Sequence, residues 1–186
     1  MVTIASLWIP ILVSAVLVFV ASSVIHMVLT YHRADYRQLP NEERVLDALR
    51  GAALPPGAYF YPYAGSVKEM GTPAMIEKFK RGPVGMLTAL PAGPPTMTKN
   101  LVQWFGFCLV VGVFTAYVAG RALGPGAPYL TVFRMAGTVA FLGYVGAEAT
   151  NTIWRGQSLG TTLRNYMDGL IYALLTAGVF GWLWPE

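Results

Sequence analysis

Four long stretches of this chain are apolar on nearly every helical face rather than along one stripe. They run from about Ser6 to Tyr31, Leu101 to Ala119, Tyr129 to Trp154 and Thr161 to Trp184. At ~1.5 Å rise per residue, about 20 such residues cross a bilayer. The first stretch holds no Asp, Glu, Lys or Arg. Helices that are hydrophobic all round belong in a large core or in lipid, and here they make up about half the chain, too much for a small soluble core. The pattern predicts an all-α membrane protein: four transmembrane helices in an up-down bundle, forming a single membrane domain over residues 1–186. The connections 121–128 and 155–160 are short and rich in Gly, Pro and Ser. They make the second, third and fourth helices antiparallel neighbours. On the fourth, Gly169, Ala173, Ala177 and Gly181 recur every fourth residue, a small-residue stripe that lets helix backbones approach closely. Packing inside one subunit is the first reading of that stripe, a dimer interface the second.

The polar segment 32–100 reads as a large, partly structured loop. Pro40-Asn41-Glu42-Glu43 followed by Val45, Leu46 and Leu49 predicts a helix capped by Asn41 and closed by Gly51. Thr72 as cap and Gly82 as stop predict a second helix over Pro73–Arg81. The runs Ala58–Tyr63 and Val84–Leu90 are bounded by Gly and Pro and predict short strands or extended segments. Eight of the chain's 13 prolines fall between residues 55 and 95, at 55, 56, 62, 73, 83, 91, 94 and 95. Tyr59, Phe60, Tyr61 and Tyr63 are too aromatic for a solvated linker and suit headgroups or a partner surface.

Composition narrows the class. Of 186 residues 55% are hydrophobic and 12% charged, against about 25% charged in soluble domains. Mean hydropathy is +0.51. One Cys excludes a disulfide framework, a CxxC redox pair and covalent c-type haem. The net charge of +4 matters through its placement. The loop after the first span carries Arg33, Arg37, Arg44, Arg50, Lys68, Lys78, Lys80, Arg81 and Lys99, and the third turn carries Arg155; between the second and third spans there is only Arg121. Basic residues favour the cytoplasmic side, so the large loop faces the cytoplasm and both termini face out. No Lys or Arg precedes Arg33 and the first apolar run is long, so it reads as a retained anchor rather than a cleaved signal. Lys78, Lys80 and Arg81 make too short a cluster for nucleic acid; beside a membrane they suit anionic headgroups.

The strings HMVLTYHRADYRQLPNEE, PPGAYFYP, KRGPVGMLT and DGLIYALLTAGVFGWLWP resemble those of a family of small bacterial four-helix integral membrane proteins that carries no known activity. The resemblance implies bacterial origin and four spans, and no catalytic residues.

Chemistry is sparse. There is no Walker loop, GxSxG elbow or HExxH pair. Ionisable groups inside spans are costly and often functional, and there are four: His26, Arg134, Glu148 and Asp168. Arg134 lies near the outer end of the third span, where it can snorkel. His26 precedes Arg33 by seven residues, Glu148 precedes Arg155 by seven, and Asp168 follows Thr161 by seven, ~10 Å of helix in each case. They therefore share one depth in the inner leaflet, with Gln103, Asn151, Arg164 and Asn165 nearer the same surface. Three readings of this polar layer compete. A structural network would pair Arg164 with Asp168 one turn away, or with Glu148 across the turn. A transporter would use Glu148 and Asp168 as proton or cation carriers beside His26. A metal site would use one His and two carboxylates. Haem is disfavoured, because on a continuous helix His32 stands about 240° from His26. The structural reading leads, with no cofactor and no metal. The expected function is that of a non-enzymatic accessory or scaffold subunit of a membrane assembly in a bacterial inner membrane. Its partners are the bilayer and other membrane subunits or a second copy, and a proton- or ion-linked transporter and a membrane metalloprotein are the alternatives.

Overall fold

The computed structural model describes residues 1–94 and 96–186; Pro95, one of the loop prolines counted above, lies outside the described residues. In chain order the elements are α1 (Trp8–Met27), α2 (Glu42–Gly51), β1 (Gly57–Tyr61), α3 (Val67–Met70), α4 (Pro73–Arg81), β2 (Gly85–Ala89), α5 (Met97–Ala122), α6 (Tyr129–Val145), α7 (Glu148–Arg155) and α8 (Leu159–Trp182). Short 3-10 turns occupy Ile4–Leu7 and Tyr31–Asp35. The protein is mostly helical. Among the described residues, three helical stretches are long and apolar enough to cross a membrane: Ile4–Met27, Met97–Ala122 and Tyr129–Arg155. At most 33% of each apolar window is buried within the chain, so most of this apolar surface needs a cover other than the protein itself. The fourth expected span corresponds to α8. Arg164, Asn165 and Asp168 load its first half with polar groups, and its apolar run is confined to the second half.

The chain divides into two compact units, Met1–Tyr36 with Thr96–Glu186, and Arg37–Pro95. The boundary falls at Arg37 rather than at residue 32, so His32 and Asp35 belong to the helical unit. In that unit α8 packs most extensively along α6 and also against α1, while α5 packs against α1 and α6. Leu7, Ala116, Val132, Ala136 and Phe180 form one fully buried cluster, and Ala15, Val18, Cys108 and Tyr172 belong to a second. Three buried hydroxyls are satisfied by their own helix: Ser14 donates to the Ile11 carbonyl, Ser22 to Phe19 and Thr176 to Tyr172. The Trp104 indole N–H donates to the Ser22 hydroxyl at 2.7 Å and ties α5 to α1.

The end of the unit away from the polar groups is laced by backbone contacts. The Val2 N–H donates to the Gly120 carbonyl at 2.9 Å, the Gly126 N–H to the Pro185 carbonyl at 2.8 Å, and the Trp184 indole to the Gly124 carbonyl at 2.9 Å. A Cβ on Gly120 would stand 2.5 Å from the Val2 carbonyl oxygen, so only glycine admits that approach.

The small-residue stripe of α8 faces inward. Gly169, Ala173 and Ala177 are buried and Gly181 is half-buried. A Cβ on Gly169 would come within 2.0 Å of Val145 Cγ1, and one on Gly181 within 2.7 Å of the Tyr129 ring. Ala177 itself lies 3.1 Å from where a Gly137 Cβ would stand. The stripe is therefore spent on α6 within the subunit.

The second unit realises both short strands. β1 and β2 pair antiparallel, with Tyr59 opposite Leu87, Phe60 opposite Met86 and Tyr61 opposite Gly85. α4 matches its expected bounds; the Thr72 hydroxyl accepts from the Met75 N–H and Gly82 stops the helix at φ 59°. Asn41 departs from expectation. It sits at the N-cap of α2 in the left-handed region (φ 52°) and makes no side-chain cap bond. Asn is among the few non-glycine residues that tolerate that conformation, so here it turns the chain rather than capping it. Gly51 is the last helical residue rather than the stop.

Close packing of α8 on α6 makes a paired prediction. Gly169→Ala should destabilise the detergent-solubilised protein by about 1–3 kcal/mol, because the added methyl overpacks against Val145. Gly178→Ala, where the nearest atom is 3.9 Å away, should be neutral or stabilising by up to about 1 kcal/mol through helix propensity. Denaturant titration of both variants checks this; equal stabilities would mean α6 and α8 are not in contact there.

Candidate functional site

α1 ends at Met27, and the chain then turns through the Tyr31–Asp35 3-10 segment instead of continuing as helix to Tyr31. That bend corrects the expected geometry of His32. Its ring lies 4.5 Å from the His26 ring, centroid to centroid, rather than on a remote helix face. The turn delivers three polar side chains onto α8. The Tyr31 hydroxyl donates to Asp168 Oδ1. His32 Nε2 lies 2.7 Å from Asp168 Oδ2, and its Nδ1 lies 2.6 Å from Asp35 Oδ2. His26 Nε2 stands 3.7 Å from Asp168 Oδ2.

Arg164 corrects a second expectation. It pairs with neither Asp168 nor Glu148. Its Nε donates to Asp35 Oδ1 at 2.8 Å, and its Nη2 donates to the same oxygen. Burial alone would raise the Asp35 carboxyl, but hydrogen bonds from His32 and Arg164 and the guanidinium charge outweigh it and hold the group below its ordinary range. Burial and the bond to Asp168 push the Tyr31 phenol above its ordinary value, so it remains a donor. Asp168, 4% exposed, is left with no permanent cation of its own. Its neighbours are a phenol and two imidazoles.

Glu148 is held apart from this cluster by a set of amides. Its carboxylate accepts from Asn165 Nδ2 at 2.5 Å, from Gln157 Nε2 and from Asn151 Nδ2 at 3.3 Å. Asn151 and Asn165 thus belong to the polar layer as expected, and Gln157 joins them. Gln103 does not: it is exposed on α5 and takes part in none of these bonds. The helical break at Gly146–Ala147 ends α6 and starts α7 with Glu148 in its first turn, where a carboxylate meets the positive end of the helix dipole.

A cavity of about 170 Å³ lies between the two groups. His26, Asp168, Glu148 and Asn165 line it together with Trp104 and Tyr172. The Tyr172 hydroxyl is buried without a hydrogen-bond partner. Of the expected layer, the structure thus brings His26, Asp168, Glu148 and Asn165 to one hollow, and Arg164 and Asn151 to its edges. Tyr31, His32, Asp35 and Gln157 are residues that sequence reasoning missed. In the second unit, Tyr59 is half-buried with its hydroxyl on the Pro55 carbonyl, while Phe60, Tyr61, Tyr63, Lys78, Lys80 and Arg81 are exposed.

The Asp35–Arg164 pair makes a prediction with two parts. Asp35→Asn and Arg164→Gln should each destabilise, and their double-mutant cycle should show a coupling of about 1–3 kcal/mol; the Arg164–Asp168 cycle should show a smaller one. Because the Asp35 pKa is depressed on folding, its stabilisation is present above the unfolded value of 3.8 and is lost as pH falls through the lower folded value. Acid titration of stability should therefore be flatter in Asp35→Asn than in the wild type. No protein-family profile, curated protein or solved structure matches this chain.

Proposed function

We propose that this is a multi-pass protein of a bacterial inner membrane, an up-down bundle of four spans, and that it serves as a non-enzymatic accessory subunit of a larger membrane assembly. The three long apolar helices and the packing of α8 on α6 and α1 support the bundle. The concentration of Lys and Arg between residues 33 and 99 supports a cytoplasmic second unit and outward termini.

The accessory role rests on one observation. Among the described residues 37–94, Met75 is the single buried side chain. A two-stranded sheet is marginal on its own, and a unit this small has little surface to hide. Yet Phe60 is 42% exposed, Tyr63 74% and Leu90 77%. Such a unit gains its burial from a surface other than its own, and aromatic side chains are enriched at protein interfaces. The occupant we assign is a membrane-protein subunit, with the bilayer surface as the competing cover.

Purification of the full chain in mild detergent should bring down a stoichiometric protein partner, and Tyr63→Ser with Phe60→Ser should release it while leaving the chain folded. Recovery of the chain alone, with the double variant behaving identically, would overturn the accessory reading. In intact cells, cysteine introduced at residue 65 should be shielded from impermeant thiol reagents and cysteine at Gly124 should label; the reverse pattern would invert the topology.

A further inference from the structure

We propose that His26, His32 and Asp168 bind one divalent transition-metal ion. This departs from the metal-free expectation of the sequence and does not depend on the accessory role. One ligand atom from each of the three residues lies within 4.8 Å of the other two. Ligands bound tetrahedrally at about 2.1 Å from a metal stand about 3.4 Å from one another. His26 Nε2 and Asp168 Oδ2, at 3.7 Å, already have that spacing. His32 Nε2, at 2.7 Å from the same oxygen, needs to open by less than 1 Å. Two imidazoles and a carboxylate form a donor set suited to zinc or iron(II).

Three further features point the same way. The outer groups are in place: Asp35 holds His32 Nδ1, which leaves the Nε2 lone pair free to bind a metal beside Asp168, and Tyr31 occupies the other Asp168 oxygen. Carboxylate–histidine pairs of this kind orient ligands at metal centres. The charge is also incomplete. Arg164 is committed to Asp35, so the buried Asp168 carboxylate lacks a permanent cation, and a divalent ion would supply one. Finally, His26 and Asp168 open onto the 170 Å³ cavity, which Tyr172 also lines. A three-ligand site facing a cavity keeps a coordination position for water or a small ligand.

The test uses the full-length, tag-free chain in detergent, stripped with chelator and titrated with Zn(II) or Co(II). One ion per chain should bind, and Co(II) should develop the visible ligand-field bands of a nitrogen–oxygen site. Asp35→Asn should weaken Zn(II) binding by about 10–100-fold. His26→Ala and His26→Gln remove a half-exposed ring that makes no hydrogen bond, and both should abolish stoichiometric binding with an unchanged circular dichroism spectrum. Absence of stoichiometric metal in the wild type, or unchanged Zn(II) affinity in either His26 variant, would overturn the proposal.

Discussion

A carboxylate buried in the middle of a mostly apolar helix bundle is the constraint around which the helical unit is arranged. Isolated, an ionised Asp168 would carry a desolvation cost of several kcal/mol or more. The fold meets it by sending the chain back after α1. The Tyr31–Asp35 turn supplies a phenol and an imidazole to Asp168, and a second carboxylate that engages Arg164. Remove that turn and Arg164 loses its carboxylate while Asp168 keeps only His26.

Three buried or half-buried acidic groups of this unit are neutralised in three different ways. Asp35 takes the guanidinium, Glu148 takes side-chain amides, and Asp168 takes a phenol and histidines. Only the last arrangement leaves the balance of charge open to an exchangeable species. A guanidinium holds its proton throughout the accessible pH range, and amides carry none to exchange. Imidazoles can accept a proton or a metal, so variable chemistry in this unit concentrates at one carboxylate.

The long helices, the cap and stop of α4, both strands and the inward stripe of α8 are legible in the sequence because each rests on local pattern: periodicity, a capping side chain or small-residue spacing. His32, Asp35 and Tyr31 are not, because α1 ends where no glycine or proline marks a stop. Val28, Leu29 and Thr30 would extend a helix well enough. The break is imposed by tertiary partners on α8, 130 or so residues away. The available signal is the density of chemistry in His26, Tyr31, His32 and Asp35, set against Arg164 and Asp168 one turn apart on a single helix. Gln103 fails for the opposite reason: depth along a helix says nothing about azimuth, and its side chain faces outward. Asn41 shows the same limit at short range, since a residue suited to a cap is equally suited to a left-handed turn.

The contact between Val145 and Gly169 has a mechanical meaning. Gly169 directly follows Asp168, and Val145 is the last residue of α6 before the Gly146–Ala147 break that leads to Glu148. This close approach between the two helices is thus one residue from one carboxylate and three from the other. A rotation of α7 about the break would swing Glu148 and Asn151 across the cavity, while the contact held Asp168 and Asn165 on α8 still. The width of the hollow between the two acids is then set by the angle at one glycine rather than by the separation of whole helices.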